Sequence, residues 1–395
     1  MSQLAEIRTL DDVTGVESWR ADLRPSRILF GPGRLRELGE LVRELGGSRV
    51  LVVTDPGIRA AGHVSTALDS LAAAALAPFV FDGVHENPTT SNVEDGVEIA
   101  REHEIDFLVG LGGGSSMDCA KGINFLLTNG GRMEDYWGFN KATEPMLASV
   151  GIPCTAGTGS EAQSFALIAQ EVSHLKMACG DEKVRFKASI LDPLLAVTAP
   201  REVKALAGYD ALSHAVESFV TRARNPLGRL FAKEAWVLLE KSYLEALSDE
   251  AEPACWGRML LGSHLAGAAI ETSMLGAAHA LANPLTSAFG TTHGAAIALV
   301  LAAVVRANSE VAEDSYRELA RASGLAPTPS GAAALATHLE ELRSSAGLPA
   351  TLASAGVGRS DLSALASQAM AQWTLQHNPR TLSEAEIRSL YEEVL

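Results

Sequence analysis

The chain has 395 residues, 47% of them hydrophobic and 20% charged, a balance expected of a soluble globular protein large enough for two domains. Its formal charge of -16, from 48 acidic against 32 basic side chains, argues against a nucleic-acid partner or an anionic membrane surface, so any anionic ligand must be held locally. Cys119, Cys154, Cys179 and Cys255 stand far apart with no paired motif, as expected of reduced thiols in a cytoplasmic protein.

The opening MSQLAEIRTLDDV has neither a basic start nor an apolar core, so no signal peptide is expected, and only about the first dozen residues read as disordered. Four short apolar runs, at residues 49–55, 78–84, 106–114 and 146–153, each end at glycine, proline or a polar turn and predict strands. Helical patterns separate them, which is how a parallel sheet with crossover helices reads. From about Pro200 the chain turns to long alanine- and leucine-rich helical stretches, such as residues 230–247 and 259–269, and no strand is predicted. The longest apolar run, residues 295–305, is too short to span a bilayer and predicts a buried helix. The expected organisation is an α/β domain over residues 1–195 and an all-α domain over residues 196–395, with no internal repeat and no low-complexity linker.

GLGGGSSMDCAK, beginning at Gly110, follows a predicted strand and opens a predicted helix. In that context glycines let backbone N–H groups approach a pyrophosphate, although the run is not a GxGxxG fingerprint. Asp118 in the first helical turn is read either as a ligand contact or as a favourable charge for the helix dipole. Asp55 ends an earlier strand, where a carboxylate accepts from ribose hydroxyls and repels a 2′-phosphate, favouring NAD over NADP; the competing reading is that it begins an Asp-Pro-Gly turn. A second polar loop, TAGTGSE from Thr155 to Glu161, offers hydroxyls and amides to the same cofactor.

Asp210 and His214 stand four apart in a predicted helix and so project from one face. His279 and His293 add two imidazoles. One carboxylate with three neutral imidazoles suits Fe(II) or Zn(II), and the lack of cysteine among them argues against a closed structural zinc site. Glu217, seven residues after Asp210, reads more readily as a helix ion-pair partner than as support for a ligand. Since the glycine loop belongs to one half and the metal set to the other, the site is expected in the cleft between them.

GGGSSMDCAKG, IPCTAGTGSEA, GYDALSHAVE, GTTHG and the tail NPRTLSEAEIRSLY, in this order from about Ser26 to the end, resemble the iron-containing, metal-dependent alcohol dehydrogenases. The resemblance implies a Rossmann-like nucleotide-binding domain followed by a helical metal-binding domain, the fold shared with dehydroquinate synthase. It implies that Asp210, His214, His279 and His293 hold iron or zinc and that Gly112, Gly113, Gly114, Ser115 and Ser116 cradle the pyrophosphate of NAD(P). Asp55, Thr155, Thr158 and, more weakly, Lys176 are implied dinucleotide contacts. A homodimer and a small alcohol or aldehyde substrate are implied as well.

Two departures bear on the substrate end. Many relatives carry a further histidine four residues after the third metal ligand, where this chain has Asn283, and a pocket aromatic of several relatives corresponds to Ile270, followed by Glu271. Asn exchanges no proton near neutral pH, so a relay would need water, a ribose hydroxyl or another side chain. Phe165, Ile270, Glu271 and Asn283 are the expected substrate-pocket residues, with Tyr136 and Trp137 considered for the cleft edge. The expected reaction is reversible hydride transfer between nicotinamide and an alcohol whose oxygen meets the ion. The alternatives are a dehydroquinate-synthase-like NAD-using lyase, disfavoured by the missing basic cluster, and a catalytically silent nucleotide- or metal-binding protein.

Overall fold

Valine- and leucine-rich runs become strands here because both of their faces are covered, as in parallel sheets. The computed structural model describes residues 26–173 and 175–395; the opening segment discussed above lies outside the described residues. In chain order the first part comprises β1 (Arg27–Phe30), α1 (Leu38–Glu44), β2 (Arg49–Val53), α2 (Pro56–Ala60), α3 (His63–Ala73), β3 (Ala77–Phe81), α4 (Thr90–Glu102), β4 (Phe107–Gly112), α5 (Gly114–Asn129), β5 (Gly138–Phe139), β6 (Ala148–Pro153), β7 (Phe165–Ala169), β8 (Lys176–Gly180) and β9 (Ala188–Leu191). Six strands form a sheet of order β1-β9-β6-β4-β2-β3, parallel throughout. A small second sheet has the order β5-β8-β7, with β7 and β8 antiparallel.

Alternate residues of β2 feed opposite cores: Leu51 and Val53 pack on one face with Leu108 and Ile123, and Val50 and Val52 on the other with Phe107 and Val109. The chain leaves β2 for β3 on one side and later enters β4 on the other, so the strand order reverses between β2 and β4. Ligand crevices form outside the carboxyl ends of strands at such a reversal, and here Asp55 and the glycine loop follow those two ends.

The four predicted strands correspond to β2, β3, β4 and β6. Sequence reading passed over β1, β5, β7, β8 and β9, which are two to five residues long and carry arginine, lysine, alanine or glycine, residues of weak strand preference except for arginine.

After β9 every described element is helical: α6 (Pro193–Ala196), α7 (Arg201–Val220), α8 (Pro226–Ala246), α9 (Pro253–Thr272), α10 (Ala277–Phe289), α11 (His293–Ala307), α12 (Ser309–Ala322), α13 (Gly331–Ala346), α14 (Leu362–Met370) and α15 (Glu384–Glu393). Local chemistry sets their starts. Asn225 caps α8 by accepting from the N–H groups of Leu227 and Gly228, with Pro226 at the first helical position. Residues 295–305 form the buried body of α11, packed in the core that holds Trp236, Tyr209 and Phe219. Among the described residues no single helix is long and apolar enough to cross a membrane.

One face of α9 joins the helical part to the loop that follows β6. His264, Gly267 and Glu271 are spaced by three and four residues and so share that face. His264 Nδ1 lies 3.1 Å from Glu161 Oε1, and both side chains are buried. Gly267 meets the backbone of Gly159 so closely that a Cβ there would lie 2.3 Å from the Gly159 carbonyl oxygen. Glu271 accepts from Ser164 N–H at 2.9 Å and Ser164 Oγ at 2.8 Å, and pairs with Arg185. The joint is close-packed and charge-paired.

Candidate active site between sheet and helices

A cavity of about 960 Å³ runs from the ends of β2 and β4 to α7, α10 and α11. At its helical end Asp210 and His214 project from α7 one turn apart, His279 from the first turn of α10, and His293 from the first residue of α11. Asp210 Oδ1 lies 3.5 Å from His214 Nε2, 3.6 Å from His279 Nε2 and 3.7 Å from His293 Nε2. The Nε2 atoms of His214 and His279 are 3.1 Å apart. All four predicted ligands are therefore brought together. Asp210, His214 and His279 are each 5% exposed. The side chain of His293, 25% exposed, opens to the cleft.

The donor set fits a divalent cation on the chemistry of its own atoms. Among the described residues Asp210 Oδ1 is buried with no hydrogen-bond partner. Glu217 Oε2 lies 2.6 Å from His279 Nδ1, so Nδ1–H donates to the carboxylate and Nε2 is left with its lone pair facing Asp210 and His214. An unpaired carboxylate oxygen and lone-pair nitrogens facing one another repel unless something positive lies between them. Each of these groups also shifts the ionisation of the others. Burial would raise the Asp210 carboxyl, yet His214, His293 and His279 outweigh it and hold it well below the carboxylate range. Burial also opposes charge on His279, but Asp210 and Glu217 lift its pKa to about 9. His214 is pushed down mainly by burial, and His293 by burial together with Lys176 and the other imidazoles.

Glu217 corrects the sequence reading. It is no helix ion-pair partner: Oε1 accepts from Ala278 N–H at 2.7 Å while Oε2 holds His279, so one buried carboxylate fixes both the start of α10 and a ligand ring. Its place three residues after His214 was the available signal, but that spacing does not reveal which neighbouring helix it meets.

At the sheet end, α5 begins at Gly114 with no side-chain cap, leaving its first N–H groups to the cleft. Gly113, Gly114 and Ser115 line the cavity, facing Thr155 and Thr158. Gly112 and Ser116 lie behind this surface. Ser116 is buried and its Oγ donates to Asp55 Oδ2 at 3.3 Å, while Gly112, at φ 152°, leaves no room for a Cβ, which would sit 2.4 Å from Ser116 Oγ. Asp55 takes the turn reading, its Oδ1 capping α2 by accepting from Ile58 N–H at 3.0 Å, and the residue also lines the cleft. Lys176 lines the cleft too, donating to Asn87 Oδ1 at 3.2 Å.

Asp118 is chiefly structural. It accepts from Ser160 Oγ at 2.6 Å and from Leu167 N–H at 3.2 Å. Lys121, which sequence reading passed over, is wholly buried and spends its three donors on Ser160 O, Ser160 Oγ and Phe165 O at 2.8, 2.8 and 2.7 Å. Together they tie α5 to the loop after β6 and to β7.

Of the predicted substrate residues, Phe165, Ile270 and Asn283 line the cavity. Glu271 borders it, but its carboxylate is committed to Ser164 and Arg185, so it is a strut of the joint. Tyr136 is buried against Phe125, and Trp137 does not reach the cavity. Sequence reading missed Gln372, Trp373 and Thr374, which also line the cavity: Trp373 stacks on Phe165 at 6.0 Å, and Gln372 Oε1 accepts from Asn283 Nδ2 at 2.9 Å.

The family described as iron-containing alcohol dehydrogenase matches residues 25–193, and the C-terminal part of the Fe-containing alcohol dehydrogenase family matches residues 204–395. Alcohol dehydrogenase 4 of Schizosaccharomyces pombe is 33% identical over 94% of this chain and 88% of its own length. The 1,3-propanediol dehydrogenase of Citrobacter freundii is 33% identical over 94% of this chain and 97% of its own. The crystal structure of a 1,3-propanediol oxidoreductase superposes with a TM-score of 0.91 at 31% identity, covering 94% of this chain and 98% of that one. With both family regions matched in order around this cleft, the chain belongs to the iron-containing alcohol dehydrogenase family.

Proposed function

We propose that the protein catalyses the reversible NAD-linked oxidation of a small alcohol to an aldehyde or ketone, with Fe(II) or Zn(II) held by Asp210, His214, His279 and His293. The observation that carries this reading is the convergence of the unpaired Asp210 Oδ1 and three imidazole nitrogens at one end of a cleft whose other end is a glycine-rich helix start. Relatives named for 1,3-propanediol support a small alcohol as substrate. In this reading residues 1–195 bind the nucleotide and residues 196–395 bind metal and substrate.

When bound, the cation supplies Lewis acidity at the substrate oxygen, and the nicotinamide supplies or accepts hydride. The chain's own residues do the rest. Asp210 brings one negative charge and the imidazoles bring none, so the loaded site keeps net positive charge for an oxygen ligand. Glu217 keeps His279 in the tautomer that presents Nε2. Gly113, Gly114 and Ser115 offer N–H groups to a pyrophosphate, and Thr155 and Thr158 face them across the cleft. Asp55 disfavours a 2′-phosphate and so supports NAD over NADP. Phe165 and Ile270 wall the substrate end against water. Asn283 orients by hydrogen bonding and moves no proton.

The test is NADH-linked alcohol turnover in His279→Ala and His293→Ala. Loss of a ligand removes several kcal/mol of transition-state stabilisation, a drop of roughly a thousandfold or more in kcat/KM. Undiminished turnover in either variant would remove the proposed site.

A further inference from the structure

All four ligand residues stand on three helices, α7, α10 and α11, and one buried side chain outside those helices joins them. Helix α10 starts at Gly276, which has no side chain to cap it, so the N–H groups of its first turn need acceptors from elsewhere. Asn378 Oδ1 accepts from Ala277 N–H at 3.3 Å, next to Glu217 Oε1 on Ala278 N–H, and His279 follows directly. The two acceptors crowd that start: a Cβ on Gly276 would lie 3.0 Å from Asn378 Oδ1 and 3.1 Å from Glu217 Oε1.

The same amide reaches α11. Asn308, the residue that ends α11, exchanges two hydrogen bonds with Asn378: its Nδ2 donates to Asn378 Oδ1 at 3.0 Å, and its Oδ1 accepts from Asn378 Nδ2 at 2.8 Å. Asn378 Nδ2 also donates to Arg380 O at 2.7 Å, so its two donors and two acceptor places are all used, and each Asn is 1% exposed. The chain on both sides of Asn378 is fastened to the end of α7. His377 O accepts from Arg222 N–H at 2.8 Å and from Thr221 Oγ1 at 3.1 Å, and Pro379 O accepts from Arg222 Nε at 3.2 Å. Metal–ligand distances tolerate only about 0.2 Å, so helices that slide against one another carry their side chains out of reach of a shared ion.

We propose that Asn378 is a positioning residue for the metal site: its side-chain amide holds the start of α10 against the ends of α7 and α11, and so keeps His279, His293 and the Asp210–His214 pair in register for one ion. The inference rests on the metal-binding part of the reading above. It goes beyond that reading by assigning the register of three helices to one side chain that lies outside the lining of the catalytic cavity. It also gives a task to the Asn-Pro-Arg that opens the tail motif.

The experiment loads the full-length protein with Co(II), whose visible d–d bands report the arrangement of its ligands, and measures affinity by competition with a chromophoric chelator. Wild type, Asn378→Leu, Asn308→Ala and Trp236→Phe are compared. The last controls for a general loss of stability: it removes the buried hydrogen bonds from Trp236 Nε1 to Leu319 O and Ser323 Oγ, on α8, which bears no ligand. The expected result is Co(II) affinity weaker by about tenfold or more in Asn378→Leu, a loss in the same direction in Asn308→Ala, and shifted d–d bands at saturation in both. Trp236→Phe should keep the affinity and the bands of wild type. Asn308→Ala cuts the same link from the other side and carries the test if Asn378→Leu does not fold. Wild-type affinity and bands in either folded Asn variant, or an equal loss in Trp236→Phe, would overturn the positioning role while leaving the metal site standing. Because metal binding is the readout, an enzyme inert on alcohols leaves the inference intact, whereas a wild type that binds no divalent cation would overturn the metal site and the inference together.

Discussion

Glu217 shows how much one buried side chain decides. Its two carboxylate oxygens are spent on His279 Nδ1 and Ala278 N–H, so the ring that faces Asp210 cannot turn. Glu217→Gln keeps the shape but loses the charge. Metal affinity should fall by 10- to 100-fold, roughly the effect of removing such a partner, when measured by competition with a chromophoric chelator. Affinity equal to wild type would show that the carboxylate does not support the ligand. The first pair of ligands was readable from sequence because Asp210 and His214 are four apart in a helix, and a helix turns that spacing into proximity. His279 and His293 were readable by type, being imidazoles in motifs with a family likeness. Gln372 and Thr374 were not, since Asn283 and Gln372 meet across 89 positions and nothing local in Ala-Gln-Trp-Thr announces a cavity wall. Glu271 does line the cavity, but its hold on Ser164 and Arg185, 107 and 86 positions away, was not legible for the same reason.

At the scale of elements, α9 and the loop after β6 approach more closely than side chains allow. In Gly267→Ala the new Cβ would fall 2.3 Å from Gly159 O, and backbone must yield because neither atom belongs to a flexible side chain. The expected cost is about 1–3 kcal/mol in urea denaturation, with a raised KM for the nucleotide because the displaced loop carries Thr155 and Thr158. Unchanged stability would contradict the packing described. Elsewhere a helix pair carries a pH dependence. His338 of α13 lies 2.9 Å from Glu240 of α8, whose hydrogen bond outweighs burial and raises the imidazole above its ordinary value of 6.5. A raised folded-state pKa contributes stability that is complete below about 6.5 and is lost as pH rises through the folded value. The melting-temperature gap between wild type and His338→Gln should therefore narrow as pH increases from 6 toward 9, on the order of the ordinary imidazole range and above; a gap that widens would reverse the assignment. Strand content was legible where apolar runs are long enough to stand out, as in β4, whose six residues are all buried. It was hidden at β1, an edge strand with Ile28 and Phe30 half exposed, where no alternation of buried and exposed faces marks it.

The whole molecule sets a cofactor helix start against a ring of imidazoles by fastening two differently built halves along one face of α9. The strap of Glu271 with Ser164 and Arg185 is central to that arrangement, and its two charged partners are both largely buried. Glu271→Ala would leave the Arg185 guanidinium without its counter-ion, at a cost of about 3 kcal/mol. Thermal unfolding should show the loss, with added scatter between the unfolding of sheet and helical parts; a melting curve like that of wild type would show the joint to be held by other contacts. The division into a sheet half and a helical half was readable because short apolar runs bounded by turns alternate with helical patterns in the first half and give way to long helical stretches in the second. How the halves meet was not, since the glycine pair and the strap are contacts between distant segments. The most direct test of the central claim is anomalous diffraction from crystals of the protein loaded with Fe(II) or Zn(II). The account predicts one strong peak per chain at about 2.0–2.2 Å from an Asp210 carboxylate oxygen and from the Nε2 atoms of His214, His279 and His293. A fully loaded protein whose metal peak lies away from these four side chains would contradict it.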